Sequence, residues 1–99
     1  MATFQELINS EQPVLDDFYA HWCGPCKTMA PVLEEIKEEI GDKARIVKVD
    51  VDKNTKAAVQ YGVRGVPTFV LFKNGQILWR EAGVIPKHEL LAIIRQHTS

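Results

Sequence analysis

A pair of cysteines carries the clearest chemistry in this sequence. The two lie three residues apart in the segment Trp22-Cys23-Gly24-Pro25-Cys26, at the predicted start of a long helix. Residues i and i+3 are neighbours on a helix, so the two thiols can close a disulfide with little movement. The free N–H groups and the dipole of a helix N-terminus stabilise a thiolate, so Cys23 should be a nucleophile at neutral pH. We expect Cys26, one turn further in, to be more buried and to keep its proton until a base removes it.

Two other interpretations of the cysteine pair are a zinc half-site and a pair of inert core thiols. Structural zinc sites take four ligands, and the sequence has no second cysteine pair. Its three histidines are scattered at His21, His88 and His97. A zinc site shared across a dimer remains an alternative, but two thiols in a strand-to-helix turn favour redox chemistry.

Strands and helices that alternate along the chain must position the cysteines. The patterns predict helices over Phe4–Ile8, Met29–Ile40, Asn54–Tyr61 and Pro86–His97, and strands over Val14–Tyr19, Arg45–Val51, Thr68–Phe72 and Ile77–Arg80. Asn74-Gly75 between the last two strands is a strong hairpin signal. The first two strands must be parallel, because a crossover helix joins them. The sequence therefore predicts an α/β fold, a mixed sheet with helices on both faces.

Length and composition exclude several classes of protein. The 99 residues suit a single domain over 1–99, and the net charge of −1 lacks the basic footprint of a nucleic-acid binder or a polybasic membrane clamp. No apolar run approaches the ~20 residues of a membrane span, and the first residues lack the plan of a signal peptide. We therefore expect a cytoplasmic protein with neither nucleic acid nor membrane as a partner.

The sequence resembles the thioredoxin family from about Pro13 to its C-terminus. The resemblance rests on motifs in the family's order and spacing: Asp17-Phe18-Tyr19-Ala20, Trp22-Cys23-Gly24-Pro25-Cys26-Lys27, Pro31, Lys48, Gly65-Val66-Pro67-Thr68, Phe72-Lys73-Asn74-Gly75 and Gly83. It implies the thioredoxin fold and a general protein-disulfide reductase with no bound cofactor and no metal. The implied partners are disulfide-containing protein substrates and thioredoxin reductase, which returns the electrons.

The same resemblance implies the roles of the site residues. Cys23 would be the attacking thiol and Cys26 the resolving thiol, and the two would form the redox disulfide. Asp17 would accept the proton of Cys26, with Lys48 as its partial counter-charge. Pro67 resembles the family's cis-proline. The expected substrate-binding collar consists of Trp22, Gly24, Pro25, Val66, Pro67, Gly83 and Val84.

The sequence departs from the family in three places. Only Met1 and Ala2 precede Thr3, the predicted cap of the first helix, so we expect the usual first strand to be missing, leaving about four strands with Arg45–Val51 at an edge. We expect a monomer, with edge pairing into a dimer as the alternative. Asp16 stands at a usually apolar position, and we expect it to be partly solvated on a thinly covered face, because an unpaired buried charge is costly. His21 is expected to be an exposed loop residue; the alternative is that it adds positive charge near Cys23.

Two rival functions remain at the level of sequence. A specialised oxidant or isomerase is disfavoured by the Gly-Pro pair between the cysteines and by the lack of a signal peptide. A binding module that uses the fold as a redox-independent partner subunit is the alternative from another class.

Overall fold

A four-stranded mixed sheet lies at the centre of the structure, a computed structural model that describes residues 3–98. In chain order the elements are α1 (Phe4–Ile8), β1 (Val14–Tyr19), α2 (Gly24–Ile40), a 3₁₀ turn (Gly41–Lys43), β2 (Arg45–Asp50), α3 (Thr55–Gln60), β3 (Thr68–Lys73), β4 (Gln76–Ala82) and α4 (Lys87–Gln96).

Local signals in the sequence account for where several elements begin and end. The hydroxyl of Thr3 accepts the N–H of Glu6 at 3.1 Å and caps α1. Gly41, with φ of 62°, stands at the end of α2. Asn74 and Gly75 both have positive φ and form the tight turn between β3 and β4. The predicted hairpin and the helix ends are therefore confirmed to within a few residues.

The strand order is β2-β1-β3-β4. β1 pairs with β2 in parallel and with β3 antiparallel, and β3 and β4 form the antiparallel hairpin. The predicted parallel crossover and the mixed sheet are confirmed. β2 has one sheet neighbour among the described residues, as expected for an edge strand, while Met1 and Ala2 lie outside them.

The sheet separates two hydrophobic cores. On one face α2 and α4 pack over a core that includes Leu15, Ile36 and Leu90. On the other face α1 and α3 cover a core that includes Val14 and Phe18. Successive strand residues point to opposite faces, so β1 sends its side chains alternately into the two cores. This alternation decides the environment of the aspartates in β1.

Within residues 3–98, no helix combines the length and the hydropathy needed to cross a bilayer.

Candidate active site

The cysteine pair lies where β1 ends and α2 begins, at the sheet edge formed by the carboxyl ends of the parallel strands β1 and β2. Cys23 is the N-cap of α2, and its Sγ accepts the backbone N–H of Cys26 at 3.1 Å. The two cysteines form a disulfide with their Cα atoms 5.3 Å apart. A free N–H of the first helical turn is thus directed at the Cys23 sulfur, the arrangement that stabilises a thiolate when the disulfide is reduced.

The expectation that Cys26 is more buried than Cys23 is wrong for the disulfide form. The exposed fraction is 4% for Cys23 and 6% for Cys26. Both cysteines belong to one small cluster with Ala20, against which Val51 and Val66 pack. The burial of Cys23 comes from the neighbouring strand end and loop, which its position on α2 alone does not reveal.

Asp17 lies on the α2 face of the sheet and is almost completely buried. Its exposed fraction is 1%, and its Oδ1 has no hydrogen-bond partner. Burial raises the pKa of Asp17 to about 6, and the positive charge of Lys48 opposes the rise. Lys48 is level with Asp17 on the adjacent strand but is exposed, with its Nζ 4.8 Å from the centre of the Tyr19 ring. The carboxyl therefore titrates near neutral pH, where a proton acceptor is useful.

The expectation of a partly solvated Asp16 is wrong. Asp16 is fully buried, and neither carboxyl oxygen has a hydrogen-bond partner. It points into the second core, where the rings of Phe4, Phe18 and Tyr61 pack with centroids 5.3–6.1 Å apart. These rings come from α1, β1 and the end of α3 and cover the face that was expected to be thinly covered. Without polar partners, burial raises the pKa of Asp16 to about 7.

The loop before β3 forms the opposite wall of the site. The Val66–Pro67 peptide bond is cis, in agreement with the resemblance of Pro67 to the family's cis-proline. Val66 packs against the cysteine cluster, and the carbonyl of Pro67 accepts the N–H of Gly83 at 2.9 Å. Gly83 is therefore tied to the same wall, and Val84 beside it is 57% exposed.

The remaining collar residues surround the cysteines from the side of α2. Gly24 and Pro25 are exposed, and a Cβ added at Gly24 would meet no atom within 4 Å. The side chain of Trp22 also faces solvent, since this residue is 71% exposed. The collar thus combines four exposed residues with three that are half-buried or buried: Trp22, Gly24, Pro25 and Val84 are exposed, Val66 and Gly83 are half-buried, and Pro67 is buried.

Sequence reasoning missed two aspartates at the carboxyl end of β2, Asp50 as its last residue and Asp52 in the turn that follows. The Oδ2 atom of Asp52 accepts the indole N–H of Trp22 at 3.1 Å. The Oδ2 of Asp50 lies 3.2 Å from Nε2 of His21, whose side chain is 73% exposed, as expected. The carboxyl ends of parallel neighbouring strands meet at one edge of a sheet, so the segments after β1 and β2 were bound to adjoin. From the sequence, this rule could have placed Asp50 and Asp52, at the end of β2, near the segment between β1 and α2.

The described part of the chain contains no candidate metal site. Across residues 3–98, no group of three or more His, Cys, Asp or Glu side chains is arranged to hold an ion.

Comparison with known proteins gives matches over nearly the whole chain. Residues 1–96 match the family model described as Thioredoxin. A thioredoxin of Haemophilus influenzae is 48% identical over 91 residues, covering 92% of this chain and 85% of that protein. A thioredoxin of Bacillus subtilis is 49% identical over 88 residues, covering 89% and 85%. The solved structure of a mutant thioredoxin from Halobacterium salinarum superposes with a TM-score of 0.87 at 40% identity, covering 96% of this chain and 82% of that one.

Proposed function

The chain belongs to the thioredoxin family and is a protein thiol-disulfide oxidoreductase, and we propose that Cys23 is its attacking thiol and Cys26 its resolving thiol. The observation that carries this assignment is the position of Cys23 as the N-cap of α2, with the N–H of Cys26 directed at its sulfur. Cys26 lies one turn inside the helix and lacks that position.

The exchange proceeds in two steps. The Cys23 thiolate attacks one sulfur of a substrate disulfide and forms a mixed disulfide, while the other substrate sulfur leaves as a thiolate. Cys26 then loses its proton and attacks the sulfur of Cys23, so the bond to the substrate breaks and the second substrate sulfur leaves. Two electrons pass from the dithiol to the substrate, and the Cys23–Cys26 disulfide remains.

Asp17 is the proton acceptor for Cys26 in this proposal. The carboxyl is buried on the face that α2 covers, and its raised pKa of about 6 allows it to hold a proton near neutral pH. Lys48 keeps the carboxylate accessible to ionisation, because its charge opposes the effect of burial. The two residues together support a group that takes up a proton and gives it back in each turnover.

The collar of Trp22, Gly24, Pro25, Val66, Pro67, Gly83 and Val84 is the proposed docking surface for the substrate. An exposed apolar rim beside open backbone can receive an extended chain without reading many of its side chains. The family implies disulfide-containing proteins as substrates.

Trapping of the mixed disulfide tests the assignment of the two thiols. In a Cys26→Ser variant, substrates with a disulfide should accumulate as stable covalent complexes through Cys23, because the second step is blocked. The matched Cys23→Ser variant should form none and should lose insulin reduction. Complexes formed by Cys23→Ser and not by Cys26→Ser would reverse the two roles.

Thioredoxin reductase as electron donor, a cytoplasmic location and a monomeric state are further parts of the proposal. Reduction of the Cys23–Cys26 disulfide by thioredoxin reductase with NADPH tests the first, cell fractionation the second and sedimentation the third. A dimer that separates after substitutions on β2 would favour edge pairing instead. The redox-independent partner subunit is not favoured, since both cysteines stand in the family's redox segment.

A further inference from the structure

A chain of side-chain contacts joins the loop after β1 to the loop after β2. The Asp50 carboxylate makes two of them: its Oδ1 accepts the N–H of Asp52 at 2.9 Å, and its Oδ2 faces Nε2 of His21 at 3.2 Å. Asp52 in turn accepts the indole N–H of Trp22 at 3.1 Å. His21 and Trp22 immediately precede Cys23, so the segment that leads to the reactive sulfur is held by two aspartates from another strand.

Asp50 is well placed to fix this geometry. Its side chain is only 8% exposed, whereas that of His21 is 73% exposed. Its backbone carbonyl also accepts the N–H groups of Lys53 and Asn54 and the side-chain amide of Asn54, at 2.9–3.2 Å. Asp50 thus organises the whole turn that presents the Asp52 carboxylate to Trp22.

Trp22 needs such support because most of its surface faces solvent. Its exposed fraction is 71%, so packing alone leaves the ring several rotamers. A surface that must be ordered when a substrate docks loses part of its binding free energy to that ordering, and a preformed surface does not. The hydrogen bond to Asp52 holds the indole in one orientation beside Cys23.

We propose that Asp50 and His21 are positioning residues for disulfide reduction, which hold the Trp22 indole through Asp52 as a preformed part of the substrate-docking surface. The inference rests on the proposed function, in which the collar around Cys23 receives the substrate. Neither residue acts on a reacting sulfur; both act through Trp22, so they affect substrate binding more than the exchange chemistry.

The test combines a signal from Trp22 with steady-state kinetics on a peptide disulfide. The variants are Asp50→Ala, which removes both carboxylate contacts, and His21→Ala, which removes one and changes only an exposed side chain. Asp42→Ala and His88→Ala are matched controls, because they remove the same side chains from exposed positions outside the site. The indole N–H resonance of Trp22 is identified by its loss in a Trp22→Phe variant, which distinguishes it from Trp79.

Asp50→Ala should shift and broaden the Trp22 indole resonance and raise KM about three- to tenfold, the usual net effect of one lost hydrogen bond, with kcat within about twofold of the parent. His21→Ala should cause a smaller shift of the same resonance and a smaller rise in KM, because it removes one of the two contacts of the Asp50 carboxylate. The controls should match the parent in all three measurements.

Unchanged indole signals and KM in both variants, with the parent active, would overturn the inference and leave the proposed function intact. A fall in kcat at constant KM would overturn it as well, since it would place the two residues in the chemistry. A parent protein that does not reduce disulfides would contradict the proposed function itself. If Asp50→Ala is unfolded, His21→Ala alone decides, because its side chain is exposed and its removal leaves the buried core unchanged.

Discussion

Replacing Asp16 by valine should stabilise the protein, and more strongly at alkaline than at acidic pH. Asp16 is fully buried among apolar side chains, with both carboxyl oxygens unpartnered. Its neighbours in register are Val47 on β2 and Val70 on β3, so a valine side chain suits the site in size and strand preference. The substitution removes an unpaired polar group from the core and adds apolar contact in its place.

The magnitude follows from the pKa of the carboxyl. Burial raises the pKa of Asp16 from 3.8 to about 7, so the folded chain holds its proton more tightly than the unfolded chain. Stability therefore falls as pH rises from 3.8 through about 7 and stays low above that range. From these two values, the difference in proton binding between the unfolded and folded chains lowers the free energy of unfolding by about 2 kcal/mol at pH 5 and about 4 kcal/mol at pH 8, relative to strongly acidic pH.

Denaturant unfolding of the oxidised protein at pH 5 and pH 8 measures the effect. Asp16→Val should gain about 2–3 kcal/mol more at pH 8 than at pH 5, since only the difference in proton binding at Asp16 depends on pH. Asp16→Asn keeps a buried polar group but cannot ionise, so it should lose the part of the pH dependence that Asp16 causes and gain less than the valine variant. A valine variant that is no more stable than the parent at pH 8, or whose gain is the same at both pH values, would refute the reasoning.

Asp17→Val is the matched variant on the opposite face of the same strand. It should also gain stability at pH 8, because burial raises the pKa of Asp17 to about 6. Unlike Asp16→Val, it should slow insulin reduction, since Cys26 loses its proton acceptor. At pH 6, where the Asp16 carboxyl is mostly protonated, Asp16→Val should reduce insulin at the parent rate. Equal losses of activity in the two variants would contradict the assignment of the two aspartates to opposite faces.

Two smaller substitutions test individual contacts. Lys48→Met should raise the pKa of Asp17 further, because the opposing positive charge is lost. The increase of the insulin-reduction rate with pH should therefore occur at higher pH than in the parent. An unchanged pH profile would exclude Lys48 as the counter-charge. Gly75→Ala should lower the free energy of unfolding by about 1 kcal/mol, because Gly75 has a φ of 78°, which alanine rarely adopts. The added Cβ would meet only the side chain of Asn9 at an ordinary 3.7 Å, so the loss comes from the backbone conformation and not from a clash. Thermal or denaturant unfolding measures the second effect, and a variant as stable as the parent would remove the conformational argument for the turn.

The sequence by itself determined the elements and the place of the reactive pair. Helix and strand periodicities act over a few residues, as do the Thr3 cap and the Asn74-Gly75 turn, so they can be interpreted without knowing the rest of the chain. The segment Trp22-Cys23-Gly24-Pro25-Cys26 stands between a strand and a helix, and this alone predicts a thiol at a helix N-terminus.

Only the tertiary structure decided how each polar side chain in or near the sheet is surrounded. Alternation along β1 predicts that Asp16 and Asp17 point to opposite faces, but it does not say what covers those faces. Asp16 points into a core that Phe4 of α1 and Tyr61 at the end of α3 help to cover, from positions distant in the chain. The contacts of Asp50 and Asp52 with the segment before Cys23 likewise depend on two strand ends that meet only in the folded sheet. Burial and pairing are sums over residues distant in sequence, so a local pattern can propose a side chain for chemistry, while its solvation and its partners are set by the fold.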